Sequence, residues 1–264
     1  MKLTMICGLG KHVFWVMTSL MNLTSLITFW RRGLRVTLVL FNSLKSADVF
    51  RPETSTQKFR FAVTDYTAAI FFPAFITELQ RVAPGVSVKT IYSTGYDSFD
   101  DLSTGKVDFA VGFQSPEAMR QNHINAIECF KDDYIVAVSS NHPRIRNELT
   151  LEQFLSEGHV AVNPLNEALG TVDRELAKMD IRRKIVVELP CLLSAPAIVA
   201  GSELIITVPE RAITTLFSSE ALTRFTVPFA ISPYILNVYF HNKRIVTSGH
   251  LWMRNFIQEV VKTA

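Results

Sequence analysis

The 264 residues, 48% hydrophobic and 11% aromatic, suffice for one or two domains with a packed core and exclude a disordered or fibrous chain. Three scattered cysteines, Cys7, Cys129 and Cys191, form neither a disulfide framework nor a metal-ligand spacing, so reduced thiols in a cytoplasm are expected. The net charge of +3 is unevenly held: residues 1–57 carry +5 and the remainder −2, so the main body lacks the basic footprint that nucleic-acid binding needs.

Residues 13–30 carry no charge and lie between Lys11 and Arg31-Arg32. That run is slightly short against the roughly 20 residues of a spanning helix. It is diluted by Thr18, Ser19, Asn22, Thr24, Ser25 and Thr28, and no small-x-small cleavage site follows. Two readings are open: a membrane or export anchor, and a start outside the native frame. The poor match favours the second. Residues 47–57 are polar, broken by Pro52, and read as a linker. The chain thus divides into a leader and linker, 1–57, and a body, 58–264.

In the body, strand and helix alternate. Residues 59–63 form an apolar strand, followed by the oxygen-rich helix start Thr64-Asp65-Tyr66-Thr67. Ile70, Phe71, Phe75, Ile76, Leu79 and Val82 recur at helical spacing until Pro84-Gly85 stops them; Pro73 requires that its position fall in the first turns. Strands are predicted at 86–92 and 107–111, with a short helix at 99–102 between them. After apolar runs at 124–130 and 134–139 a second alternation begins. Helices are expected at 149–155, 169–179, 192–200 and 210–217, and strands at 159–163, 184–188, 204–208, 224–227 and 234–240. A helix over 249–261 closes the chain. Strand–helix–strand order predicts two α/β units built on parallel sheets.

No nucleophile elbow, phosphate-binding loop, dinucleotide fingerprint or zinc-binding helix is present, so an enzyme is not expected, and neither is a cofactor or a metal. Gly8-x-Gly10 follows no strand, and Asp100-Asp101 would point apart on a helix. What recurs is a polar turn after each strand: Thr64-Asp65-Tyr66, Ser93-Thr94-Gly95, Gly112-Phe113, Asn163-Pro164-Leu165 and Thr207-Val208-Pro209. In open α/β sheets such turns face a crevice in which helix N-termini favour anions. Any one of them reads equally well as an ordinary cap or turn.

The stretches Phe59-Arg-Phe-Ala-Val-Thr-Asp-Tyr66, Phe72-Pro-Ala-Phe-Ile-Thr-Glu-Leu79 and Ala83-Pro-Gly-Val86 resemble the opening of the LysR-type effector domain. Leu102-Ser-Thr-Gly-Lys-Val-Asp-Phe-Ala-Val-Gly112, residues 197–211 and His250-Leu-Trp-Met-Arg254 are similar to its later parts. The ordered set runs from about residue 43 to the end and is most similar to the nodulation-regulator-like branch. The resemblance implies a periplasmic-binding-protein-like fold: two α/β lobes, a ligand cleft between them, and a chain that crosses twice. The first lobe would take 58–131 plus 233–264, and the second 132–232. It also implies a transcription regulator acting as a homodimer or homotetramer on promoter DNA. Family members begin with a winged helix-turn-helix of about sixty residues, and nothing before residue 43 matches one. The sequence therefore predicts a sensor that meets DNA only if an N-terminal reader is supplied. Expected ligand contacts are Thr64, Asp65, Tyr66 and Thr94 on one lobe and Pro164 and Leu165 on the other, with Phe113 and Tyr66 as stacking surfaces. Asp65 would repel a carboxylate unless a cation or N–H group intervened, which leaves aromatic and carboxylate effectors both open. A membrane-tethered or exported solute-binding protein is the alternative.

Overall fold

In the computed structural model, residues 49–92, 97–113, 123–164, 169–217, 220–243 and 247–263 are described. From Phe50 onward they belong to one compact unit. Leader residues 1–48, including the uncharged run, lie outside the described residues.

Among the described residues, ten strands form two sheets. The first has the order β2(Ser87–Tyr92), β1(Lys58–Val63), β3(Phe109–Phe113), β10(Tyr234–His241), β4(Ile124–Asp132). In the second the order is β7(Lys184–Leu189), β6(Gly158–Val162), β8(Ile205–Pro209), β5(Tyr134–Ser139), β9(Leu222–Thr226). Among the described residues the helices are α1(Asp65–Val82), α2(Asp97–Thr104), α3(Leu151–Ser156), α4(Thr171–Lys178), α5(Ala195–Ala200), α6(Glu210–Thr214) and, after the last strand, α7(Ser248–Thr263).

The predicted parallel cores are present: β1 runs parallel to β2 and β3, and β6 parallel to β7 and β8. Neither sheet is wholly parallel, however. β10 is antiparallel to both β3 and β4, and β5 is antiparallel to β8 and β9. These are the strands next to the places where the chain changes sheet. It crosses at Asp133, between β4 and β5, and returns through residues 227–233, between β9 and β10. A strand entering from the other sheet arrives without a crossover helix, so nothing forces it to run parallel.

Thr64 starts α1 through a reciprocal capping box: its hydroxyl accepts from Thr67 N at 3.3 Å while Thr67 Oγ1 accepts from Thr64 N at 2.9 Å. The helix therefore begins well before the apolar repeat that announces it, which places Pro73 in its third turn. Pro73 sits on the exposed face, where a carbonyl deprived of its intrahelical donor meets water. The opposite face buries Phe71, Phe75 and Leu79, each worth about 1.5–3 kcal/mol. These rings join Phe61 and Phe109 of β1 and β3; Phe71 and Phe75 stack at 5.0 Å, and Phe61 and Phe109 at 5.1 Å.

Residues 50–57, polar enough to read as linker, pack against α7. Phe50 lies 4.8 Å from the Trp252 ring and its N–H donates to Ser248 Oγ. The Pro84-Gly85 turn meets the same segment: a Cβ on Gly85 would stand 2.6 Å from the backbone oxygen of Ser55, so only glycine fits.

Candidate functional site

A cavity of about 560 Å³ lies between the two sheets, in the size range of small-molecule pockets. The carboxyl ends of β1, β3, β6 and β8 and the N-termini of α1 and α4 line it. Five of the residues expected from sequence, Thr64, Asp65, Tyr66, Phe113 and Pro164, are on its wall. Thr94 and Leu165 lie outside the described residues.

The structure gives these five distinct surroundings. Thr64 is buried and its hydroxyl is committed to the cap of α1. Asp65 Oδ2 accepts two backbone N–H bonds from the other sheet's side, from Leu192 at 2.6 Å and Leu193 at 2.9 Å. Those amides are the intervening N–H groups that an anion beside Asp65 would require. Tyr66 and Phe113 belong to an aromatic wall with Tyr134 and Tyr234. Tyr234 stands 5.7 Å from Tyr66, 6.2 Å from Phe113 and 6.4 Å from Tyr134, centroid to centroid. Burial, then Asp132 and Tyr134, push the Tyr66 phenol well above its ordinary value. Burial, then Tyr66, Tyr134 and Tyr239, do the same to Tyr234. Both rings are therefore neutral polar-tipped surfaces. The Tyr66 hydroxyl is sealed from water and meets no hydrogen-bond geometry, although Asp132 is close enough to influence its proton.

Sequence reasoning missed the charged groups on the second sheet's side. Arg182, Arg183, Asp173 and Glu188 all line the cavity. Arg183 is buried in a two-pronged pair with Asp173, Nε to Oδ1 and Nη2 to Oδ2, both 2.8 Å. Glu188 accepts from Asn163 Nδ2 at 3.0 Å. Arg182 lines the cavity, is exposed, and has no hydrogen-bonding or ionic partner among the described residues. Gly170, the N-cap of α4, supplies no side-chain acceptor, so the amides opening that helix also face the cavity side unpartnered by a cap. No local signal marked the Arg182-Arg183 pair, because a turn arginine reads as solvated surface until the fold places it.

Among the described residues no group of three His, Cys, Asp or Glu side chains could hold a metal ion, and no helix is long and apolar enough to cross a membrane. Burial pushes the Cys129 thiol up to about 12, which disfavours its thiolate.

Two sheets joined by two chain crossings, with a cavity between them, define a two-lobe, periplasmic-binding-protein-like ligand-binding module. The LysR substrate binding domain matches residues 52–262, and the chain belongs to the LysR family. It is 28% identical over 225 residues to the HTH-type transcriptional activator NagR of a Ralstonia species, covering 85% of this chain and 74% of that protein. Nodulation protein D 2 of Rhizobium tropici is 26% identical over 217 residues, covering 81% and 67%. The crystal structure of the probable transcriptional regulator PA0477 from Pseudomonas aeruginosa superposes with a TM-score of 0.75 at 33% identity, covering 86% of this chain and 75% of that one.

Proposed function

We propose that this chain senses a small aromatic carboxylate in the cavity and passes its occupancy on to transcription. The observation that carries the ligand class is the pairing of an aromatic wall, Tyr66, Phe113, Tyr134 and Tyr234, with Arg182, which lines the same cavity and has no ionic partner among the described residues. Asp173 neutralises Arg183, the Leu192 and Leu193 amides compensate Asp65, and Asn163 Nδ2 holds Glu188, so Arg182 and the α4 N-terminus are the proposed local contacts for the anionic end of the ligand. Tyr66, Phe113 and Pro164 are the proposed contacts, with Thr94 and Leu165 carried over from the sequence; Thr64 shapes the wall by fixing α1.

The two sheets act as the cores of two lobes, 58–131 plus 233–264 and 132–232, which close on the ligand. Differential affinity for the closed arrangement transmits the signal. The working form is a homodimer or homotetramer in the cytoplasm, engaging promoter DNA through an N-terminal reader. It performs no catalysis. Family membership supports transcription control over the solute-binding alternative.

The test is calorimetric titration with benzoate and with benzamide, which share a ring and differ in charge. Benzoate binds, and Arg182→Gln weakens it about tenfold while leaving benzamide unchanged. Equal effects on the two, or none, remove Arg182 from the site.

A further inference from the structure

Two side chains from the first sheet's side hold one short stretch of the second. Tyr92, the last residue of β2, donates its hydroxyl to Pro190 O at 3.1 Å. Asp65, the first residue of α1, takes the N–H groups of Leu192 and Leu193 on Oδ2. Residues 190–193 link β7 to α5, and none of these residues lies in the segments where the chain crosses. The contacts thus join the two sheets' sides at a place away from both crossings.

We propose that Asp65 and Tyr92 form a clasp on residues 190–193 that opens and closes as one unit and sets the closed population against which a ligand works. The ligand arm of this idea rests on the sensing function proposed above. Asp65 supplies the balance. Its Oδ2 gains two charge-assisted bonds, while its Oδ1 is buried with no partner. Closure therefore replaces water on one oxygen and only removes it from the other, so gain and cost largely offset. Tyr66 Oη and Thr207 Oγ1, on residues of the same wall, are sealed in the same way without partners. Tyr92 is 48% exposed, so its bond to Pro190 competes with water and adds little alone. A latch near balance lets a ligand shift the population with a modest difference in affinity.

Amide hydrogen exchange on the full-length chain tests this. Asp65→Ala removes the acceptor itself, and Tyr92→Phe removes a hydroxyl that touches neither amide. In Asp65→Ala the Leu192 and Leu193 amides exchange about tenfold faster or more, and in Tyr92→Phe about twofold faster, while β1 and β8 keep wild-type protection and report an intact fold. Acceleration in Asp65→Ala alone would show only two local bonds lost and overturn the clasp, as would no change in either variant. Should Asp65→Ala not fold, Tyr92→Phe decides alone. Millimolar benzoate slows both amides in the wild type and in Tyr92→Phe. If the ligand-free result holds and benzoate has no effect, the clasp stands and the aromatic-acid reading falls.

Discussion

Arg183 and Asp173 face each other on the cavity wall with matched geometry, two bonds of 2.8 Å between a guanidinium only 4% exposed and a carboxylate on the first turn of α4. Breaking such a pair leaves a charge with neither water nor partner. Asp173→Asn is expected to destabilise the protein by about 3 kcal/mol, at the lower end of the usual range because Asp173 keeps some water. Urea unfolding measures it. A loss below about 1 kcal/mol would mean that Arg183 finds another partner or swings out.

His159 gives the fold a pH dependence. Its Nε2–H donates to Phe154 O at 2.8 Å, and burial, followed by nearby Arg183, lowers its pKa from 6.5 to about 4. Between those values the unfolded chain binds a proton that the folded chain refuses. Stability from this group is therefore complete above pH 6.5 and is lost as pH falls toward 4, by about 2 kcal/mol between pH 7 and pH 5. Urea titrations at the two pH values should show this drop in the wild type and a smaller one in His159→Gln. The same drop in both assigns the effect elsewhere.

Phe75 sits at the centre of the first sheet's core, 0% exposed, within 5.0 Å of Phe71 and 5.6 Å of Phe256, centroid to centroid. Phe75→Ala should cost about 3–5 kcal/mol by removing buried surface and leaving a cavity that rigid neighbouring rings cannot fill. Thermal unfolding followed by circular dichroism is sufficient to detect it. A change under about 1 kcal/mol would mean that α1 collapses onto the gap.

Tyr66→Phe has the opposite expectation. The hydroxyl it removes is buried without a hydrogen bond, so stability should hold or rise by up to about 1 kcal/mol. A clear loss of stability would show that the hydroxyl bonds Asp132 in solution.

Much of this arrangement was legible from residue pattern. The Pro84-Gly85 stop, the oxygen-rich start of α1 and the apolar runs of β1 and β8 are local signals, and local chemistry decides them. The wall residues Tyr66, Phe113 and Pro164 were legible because strand ends in α/β sheets face a crevice. What was hidden depends on distance along the chain. Asp65 meets partners 127 and 128 residues away, and no spacing rule connects them. Arg182 and Arg183 looked alike in sequence, yet one is buried in a pair and the other is not. The antiparallel setting of β10 was likewise invisible, since its apolar run fits a buried strand in either direction.

The position of β10 has a consequence for how the protein is made. It lies between β3 and β4, in the interior of the first sheet, yet follows every other strand of the described residues. During synthesis every strand of the second sheet emerges before it, so that sheet can close while the first still gapes with two unpaired edges. Such edges are adhesive. The nascent chain is therefore most vulnerable to aggregation in the interval just before its last strand appears, and a ribosome stalled there would hold one finished lobe and one open one.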